Sequence, residues 1–473
     1  MDGYVIIGRM NVASKAKEMI ERLRSDIYSM IRPYKHEVMF NIVFLFPNLF
    51  ATLARKREEE HRLYFDITWV RAVTAITTAL NHILPDFIPL KPPARLKPSK
   101  LEESFNILPQ VTSKLFDLAW WLFILENKYI DKIIVHGLSP DVYWSEEYRE
   151  AISKYVSNLL GSEDYLDWLD WFYPRLGKHK EFVNALDNYL LSKYGFNLND
   201  LAGASEYLMQ LYKKFKEEKQ PPIVYKNKLH EVFSKNIRST RSSKLLNALI
   251  FCKGKDLMKS PLIPLEGGDL LIAGWIFELH QHFDAWIKLI LEEEPRLWSM
   301  YANIAGREFE NYVSNKISKV VHKMFENVVI SEKEFPSIKD CLEKLRKKGS
   351  FEIDIVAIIN DKLYVISCKG GKKEIPKIYK SKYWVYPSEK EIIDRLKENI
   401  EEVNELIEEA KCLRGHREVV KQLFSMEVKD IVPVIVYAFP QPLAIEDFRA
   451  KISFTEDVIV STPNQLLQLM TST

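Results

Sequence analysis

The stretch Phe351–Lys369, FEIDIVAIINDKLYVISCK, constrains this chain more than any other. Two runs rich in Ile, Val and aromatic residues flank Asn360-Asp361, a dipeptide that favours tight turns. The stretch reads as a β-hairpin with strands over 351–359 and 363–367. Side chains alternate across a strand, so Glu352 and Asp354 are expected on one face, with Phe351, Ile353 and Ile355 on the other. Ser367 and Lys369 likewise share a face, with Ile366 and Cys368 opposite. Pairing of the strands gathers carboxylates and a lysine at one end of an otherwise apolar hairpin, where charge is costly unless it binds something.

That layout has a chemical use. Carboxylates on adjacent strands are hard oxygen ligands of the kind that hold Mg²⁺ or Mn²⁺. Such an ion stabilises charge on a phosphate and lowers the pKa of a bound water, which a neighbouring lysine orients or deprotonates. The outline is that of a hydrolytic phosphodiester site. A structural hairpin with one Asp and one Lys gives the same pattern, however. Upstream, Gly306-Arg307-Glu308-Phe309-Glu310 lies in a helical pattern that by itself requires only that Phe309 face a core.

Taken in order, these segments resemble the motifs of the PD-(D/E)xK, or restriction-endonuclease-like, nuclease superfamily, and most of all its Mrr-type and archaeal members. Asp354 matches the aspartate of the first hairpin strand, and Lys369, fifteen positions on, matches the lysine of the second. Glu310 matches the acidic residue of the preceding helix. The resemblance runs from about Tyr301 to the C-terminus. It implies an α/β restriction-endonuclease-like core, a mixed sheet flanked by helices, and a metal-dependent nuclease (a Mg²⁺- or Mn²⁺-dependent endodeoxyribonuclease) acting on DNA. It also implies roles. Asp354 is the central metal ligand, the backbone carbonyl of Cys368 completes the shell, Glu310 binds or orients the metal, and Lys369 positions the attacking water. The position two before the lysine, acidic in the pattern, is Ser367 here. A hydroxyl is a weaker ligand than a carboxylate, and Glu352 offers itself as a displaced one. This variant Ser-Cys-Lys motif keeps two other readings open: a catalytically inactive nuclease fold that only binds nucleic acid, and a helical scaffold whose hairpin is structural.

Beyond Lys369 the sequence continues KGGKKEIPKIYKSK. Six lysines, counting Lys369 with Lys372, Lys373, Lys377, Lys380 and Lys382, face one acid, Glu374. A basic loop beside such a site would neutralise phosphates, and the interleaved Tyr379, Tyr383, Trp384 and Tyr386 could stack on bases. The alternative is a solvated loop. The acid-rich helix expected over 388–411, N-capped by Ser388, would repel nucleic acid and is expected to face away from substrate or meet a partner.

Composition limits the rest. With 473 residues, two to four domains fit; 47% hydrophobic residues allow large cores. A net charge of +2 excludes a polybasic coat, so any nucleic-acid surface is local. Four scattered cysteines, Cys252, Cys341, Cys368 and Cys412, form no C-x-x-C pair, so neither a zinc ribbon nor a disulfide framework is expected. No signal-peptide layout opens the chain, and the apolar 40–53 run is broken by Asn41, Pro47 and Asn48, which points to a cytoplasmic protein without a membrane span. Scarce glutamine beside abundant Lys, Glu and Ile fits a thermophile. A homodimer is compatible with the family resemblance.

Upstream of the hairpin the pattern is mainly α-helical. We expect an N-terminal helical region over 1–90, helical domains over 101–298 with a short hairpin near 261–273, and the nuclease-like domain over 301–473. The five prolines of 84–100 suggest an extended connector. Tyr4–Ile7 is read as a strand. Asp164, Asp167 and Asp170 lie at helical spacing with Trp168 and Trp171, which fits an amphipathic helix rather than a calcium loop. His280 and His282 point different ways on a helix and are read as structural. The Lys226–Arg241 stretch is read equally as a phosphate-contacting surface or a solvated face. A helix is expected over 301–325, with Phe309, Val313, Ile317, Val320, Val321 and Met324 as its apolar stripe.

Overall fold

The structure, a computed structural model, describes all residues except 1–4, 35–36, 46–66, 127–131, 137–138, 144–162, 238, 279–280, 346, 348, 371–388, 439–440, 445–451 and 473. The chain divides into two units. One is built from residues 1–144, 181–298 and 376–386, the other from 145–180, 299–375 and 387–473.

The first unit opens with β1 (Val5–Gly8), which pairs antiparallel with β2 (Lys132–His136), itself paired with β3 (Ser139–Tyr143). Of the strand expected at Tyr4–Ile7, Val5–Ile7 lie in β1, and Tyr4 lies outside the described residues. The β2–β3 ribbon falls within the stretch read as helical in pattern. Helices α1 (Arg9–Ile31), α2 (residues 37–45), α3 (Ile67–Ile83) and α4 (Pro98–Glu126) precede β2, and α1 and α3 both pack on α4. The proline-rich stretch before α4 is not a free connector. Leu84, Leu90 and Leu96 are buried in the same core as Leu23, Ile76, Leu115 and Trp275.

Next in the chain comes α5 (Glu163–Leu176), which belongs to the second unit. The first unit resumes with α6 (Lys180–Lys193), α7 (Leu198–Glu217), β4 (Ile223–Tyr225), α8 (Lys226–Asn236), α9 (Ser239–Leu249), β5 (Leu262–Pro264), β6 (Asp269–Ile272), α10 (Gly274–Glu278) and α11 (Gln281–Glu293). The expected hairpin near 261–273 is β5–β6, completed by β4 to a three-stranded antiparallel sheet. Asn197 starts α7 with a capping box: its side chain accepts from Asp200 N, and Asp200 accepts from Asn197 N. The buried His282 has its ring between Ser205 Oγ, at 2.7 Å, and the Lys259 carbonyl, at 3.3 Å. Burial lowers its pKa to about 4, which suits a neutral structural histidine. His280 lies outside the described residues.

The second unit contains α12 (Pro295–Ile317, from Ser299 on), β7 (Lys323–Ser331), α13 (Lys339–Lys344), β8 (Ser350–Ile359), β9 (Lys362–Lys369), α14 (Glu389–Gly415), α15 (Arg417–Phe424), β10 (Asp430–Tyr437), β11 (Ile459–Ser461) and α16 (Pro463–Ser472). Its five strands form one mixed sheet in the order β11-β10-β9-β8-β7. β8 runs antiparallel to both of its neighbours, β7 and β9, whereas β9, β10 and β11 run parallel. A parallel step needs a crossover, and α14 with α15 provides it between β9 and β10. The hairpin turn is where the sequence put it: Asn360 and Asp361 take φ of 45° and 64°, as a tight primed turn requires.

The helix expected over 301–325 is shorter than its apolar stripe suggested. It ends at Ile317, and Met324 and Phe325 belong to β7. Consecutive β-branched residues at 320–321 and again at 328–330 favour extended backbone, and no helical stripe can distinguish a helix face from a helix plus the strand after it.

One face of the sheet is covered by α14 and α15. Val403, Leu406, Ile407, Ala410, Leu413, Val419, Val420 and Phe424 share a core with Phe351, Ile353, Val356, Ile358, Leu363, Val365, Ile431 and Ile435. The expected alternation fails at one point. Phe351 and Ile353 share a face, but the next β8 residues in that core are Val356 and Ile358 rather than Ile355. The neighbouring β7 shows the same slip, contributing Phe325 and then Val328 and Ile330 around Asn327, whose φ is 51°. This local irregularity, bulge-like in its effect, falls opposite Asp354.

α5 carries an aromatic cluster against α12. Trp168 is fully buried, stacks on Phe172 with ring centroids 5.0 Å apart, and meets Phe309 edge-on at 5.3 Å. Tyr301 packs edge-on against Phe172. Trp168 is thus core, as expected of a tryptophan at this spacing, whereas Trp171 is partly buried under Arg175. Asp167 is exposed and 3.5 Å from Lys316. Nothing is described of the side chains of Asp164 and Asp170.

Candidate active site

The site forms where β8 and β9 part. β7 pairs with β8 as far as Ser331↔Ser350, and β9 with β10 as far as Lys369↔Tyr437, but the β8–β9 ladder stops at Ile355↔Ile366. Beyond that point, the Asp354 side chain takes over. The backbone N–H of Cys368 donates to Asp354 Oδ2 at 2.6 Å, and Ser367 Oγ lies 3.4 Å from the same oxygen. The first is a charge-assisted bond that fixes the carboxylate between the two strands. Asp354, Ser367 and the Cys368 backbone are therefore brought together, with Lys369 next in β9.

The charge here is mixed. The buried Cys368 thiol is pushed well above its usual range, first by burial, then by the negative fields of Asp354 and Glu310, with Lys369 opposing. Glu310 on α12, Asp354 on β8 and Lys369 on β9 thus act on one point. The approach of α12 to the end of β9 depends on Gly370. A Cβ there would sit 2.7 Å from Phe309 Cβ and 3.1 Å from the Ala305 carbonyl oxygen. Close approach to the helix, rather than an unusual turn, is the reason for glycine at this position.

Other expected residues fall differently. Glu352 is exposed on β8 and registers with Val329 of β7. Glu308, expected to be solvated, is 14% exposed. It contacts His179 Nε2 at 3.1 Å and lies 3.8 Å from Arg175 Nε, so it pins α12 to the α5 segment. Lys372, Lys373, Lys377, Lys380 and Lys382, with Tyr379, Tyr383, Trp384, Tyr386 and Ser388, lie outside the described residues.

The acid-rich helix is where sequence reasoning missed most. α14 was expected to face away from substrate or to meet a partner. Instead it covers the sheet face to which Leu363 and Val365 belong, and whose alternation leads on to Ser367 and Lys369. Tyr437, the register partner of Lys369, donates to Glu402 Oε2 at 3.0 Å. Glu409 is buried at 8% exposure with Lys347 Nζ 4.0 Å away, and Lys347 also pairs with Glu405. Burial first, then Glu405, raises the pKa of Glu409 to about 7; Lys347 and Lys369 pull it down, and Asp354 adds to the rise. The available signal was the series Glu402, Glu405, Glu409. Its spacing of three and four puts the acids on one stripe beside the apolar stripe Val403, Leu406, Ala410.

The donor set suits a hard divalent ion: a carboxylate at Asp354, a second acidic field from Glu310, and the Ser367 hydroxyl. Two soft or nitrogen donors are lacking among these residues, so a zinc-type site does not fit here.

The second unit thus carries a five-stranded mixed sheet with flanking helices, an acidic helix residue, Glu310, and an Asp/Lys pair where two strands separate. Residues 305–438 match the family described as NERD, nuclease-related domain. The match runs from α12, just ahead of Gly306, to the end of β10. Neither the curated proteins nor the solved structures contain a match to the chain. Among the described residues, no helix is long and apolar enough to cross a membrane.

Proposed function

We propose that the chain is a metal-dependent nuclease that hydrolyses phosphodiester bonds in DNA, with a PD-(D/E)xK-type site of Mrr-like character. The supporting observation is the Asp354–Cys368 bond at the parting of β8 and β9, with Lys369 next in the chain and Glu310 in electrostatic range. The match to a nuclease-related family covers the same elements. Mg²⁺ or Mn²⁺ would be held by Asp354, with Glu310 and the Cys368 carbonyl completing the set and Glu352 in reserve. When bound, the ion supplies charge neutralisation at the phosphate and a more acidic water.

The chain's own residues do the remaining work. Asp354 is held in one orientation by the Cys368 N–H, so its geometry is set before substrate arrives. Lys369 presents an ammonium to the scissile phosphate and orients the attacking water. Ser367 adds a hydroxyl beside Asp354, where a carboxylate would otherwise stand. Lysines of the 372–382 segment neutralise neighbouring phosphates.

The test is cleavage of single-stranded, duplex and branched DNA and of RNA, with Mn²⁺, Mg²⁺ or EDTA, comparing wild type with Asp354→Ala. Metal-dependent cutting lost in the variant supports the assignment; cutting unchanged in Asp354→Ala overturns it. A second reading rests on Ser367: a nuclease fold that binds nucleic acid without cutting it. It gives salt-sensitive binding that persists in EDTA, and no cleavage with either ion.

A further inference from the structure

No spacing in the sequence announces cysteine pairing, yet Cys341 of α13 and Cys412 of α14, 71 residues apart, are joined as a disulfide. Scattered positions in sequence say nothing about proximity in the fold, and this pair is the correction. A third group stands with them. His416 follows α14 one helical turn after Cys412, and the two sulfurs and a ring nitrogen lie within 4.8 Å of one another.

We propose that, once the disulfide is reduced, Cys341, Cys412 and His416 bind a thiophilic divalent cation, Zn²⁺ being the best fit. Two thiolates and an imidazole are soft and borderline donors, which suit Zn²⁺ and not the hard ions that suit the Asp354 site. Both cysteines are buried, at 8% and 5% exposure, so competing ligands are kept from the sulfurs. Cys412 stands in the last turn of α14 and His416 just beyond its end, and α13 contributes the third ligand from another element. Water fills the fourth position, as in three-ligand zinc sites.

The imidazole itself points to a ligand. Its Nδ1 is 2.9 Å from the Cys412 carbonyl oxygen and its Nε2 is 2.8 Å from that of Ser337. A neutral imidazole has one N–H and one lone pair, so it can satisfy one of these carbonyls and must turn a lone pair towards the other. The contact between lone pair and carbonyl is repulsive and is readily given up: once the ring turns from that carbonyl, the freed nitrogen can take a cation and the remaining N–H donates to a backbone carbonyl. That is how metal-binding histidines are commonly oriented.

The redox step balances as follows. A thiol reductant supplies two electrons and two protons, the Cys341–Cys412 bond breaks, and the reductant is itself oxidised to a disulfide. Cation binding then releases the two thiol protons to solvent. In the reverse step a disulfide oxidant takes up two electrons and two protons from solvent, is itself reduced to two thiols, and the re-formed Cys341–Cys412 bond expels the cation. α13, which leads into β8, remains tied to α14 in both states, first by sulfur and then by metal.

The test uses the full-length chain, reduced with a phosphine under inert gas and titrated with Co²⁺ as spectroscopic probe. Expected are one Co²⁺ per chain, a thiolate-to-cobalt charge-transfer band, and its loss on adding Zn²⁺. Cys341→Ser and Cys412→Ser each abolish the band. His416→Gln weakens binding by at least the roughly 10–100-fold that loss of even an outer-shell partner costs. The unreduced chain gives no band. A reduced, folded wild type without the band overturns the proposal, as does a band that survives either serine variant. Should a serine variant fail to fold, wild type alone decides: Zn²⁺ must protect Cys341 and Cys412 from alkylation, read by mass spectrometry, and equal labelling with and without Zn²⁺ overturns the proposal.

Discussion

Glu409 offers the sharpest test of how the site is wired. Its carboxyl is buried beneath the sheet with Lys347 at 4.0 Å, and its pKa is raised from 4.5 to about 7. For an acid, a folded-state pKa above the unfolded one means that the folded protein holds an extra proton between those two values. The stability it contributes is present in full below about pH 4.5 and is lost as pH rises towards about 7. At 1.36 kcal/mol per pH unit, the loss at pH 8 is about 3 kcal/mol. Glu409→Gln removes the titration and keeps the shape. The variant is therefore expected to match wild type near pH 5 and to exceed it by about 3 kcal/mol at pH 8. For a unit of roughly 200 residues this is about 6–12 °C in melting temperature. Thermal and urea unfolding at pH 5, 6, 7 and 8 and constant ionic strength measure the difference. A variant less stable than wild type at pH 8, or a difference that does not change with pH, would refute the reasoning. Glu409 would then be an ordinary ionised partner of Lys347.

Four further outcomes are expected. Gly370→Ala forces a Cβ to within 2.7 Å of Phe309 Cβ and should cost about 1–3 kcal/mol of stability, measured by urea unfolding. Trp168→Ala empties the aromatic cluster under α12 and should cost about 3–5 kcal/mol, read in the same way. Lys369→Ala should slow metal-dependent cleavage by about 10²–10⁴-fold in a gel assay while leaving the melting temperature within a degree or two. Iodoacetamide should label the exposed Cys252 readily and the buried Cys368 hardly at all at pH 8, because the thiol of Cys368 is pushed well above its usual range; equal labelling would contradict that environment.

The hairpin was legible because local rules define it. A turn dipeptide, two β-rich runs and a period of two place β8 and β9 within a residue or two, and Asp354 and Lys369 follow from their positions on those strands. What could not be read depends on non-local packing. The end of α12 was hidden because its apolar stripe continues in phase into β7. The β2–β3 ribbon was hidden because Lys132–His136 is short and gains its stability from β1, more than a hundred residues earlier. Trp168 announced a core, but not that the core would be that of α12. Glu409 looked like any other acid on a charged helix, and only the sheet beneath it distinguishes it from Glu408, one residue earlier. Cys341 and Cys412 carry no local sign of each other.

The slip in alternation at Asp354 ties these observations together. A strand that kept strict alternation would pair with β9 through to Lys369, and the Cys368 N–H would meet a β8 carbonyl. Here β8 and β7 both lose phase, at Asp354 and at Asn327, and the β8–β9 ladder ends one residue pair before Asp354. Leaving a buried N–H unmade would cost about 1–3 kcal/mol, and the Asp354 carboxylate satisfies it instead. The same residue therefore holds the parted strands in register and presents a carboxylate in the gap between them. Asparagine at 354 could still accept from Cys368 but would carry no charge, whereas alanine would lose both roles. Folding that survives in Asp354→Asn but weakens in Asp354→Ala, with cleavage lost in both, is what a doubly employed aspartate requires.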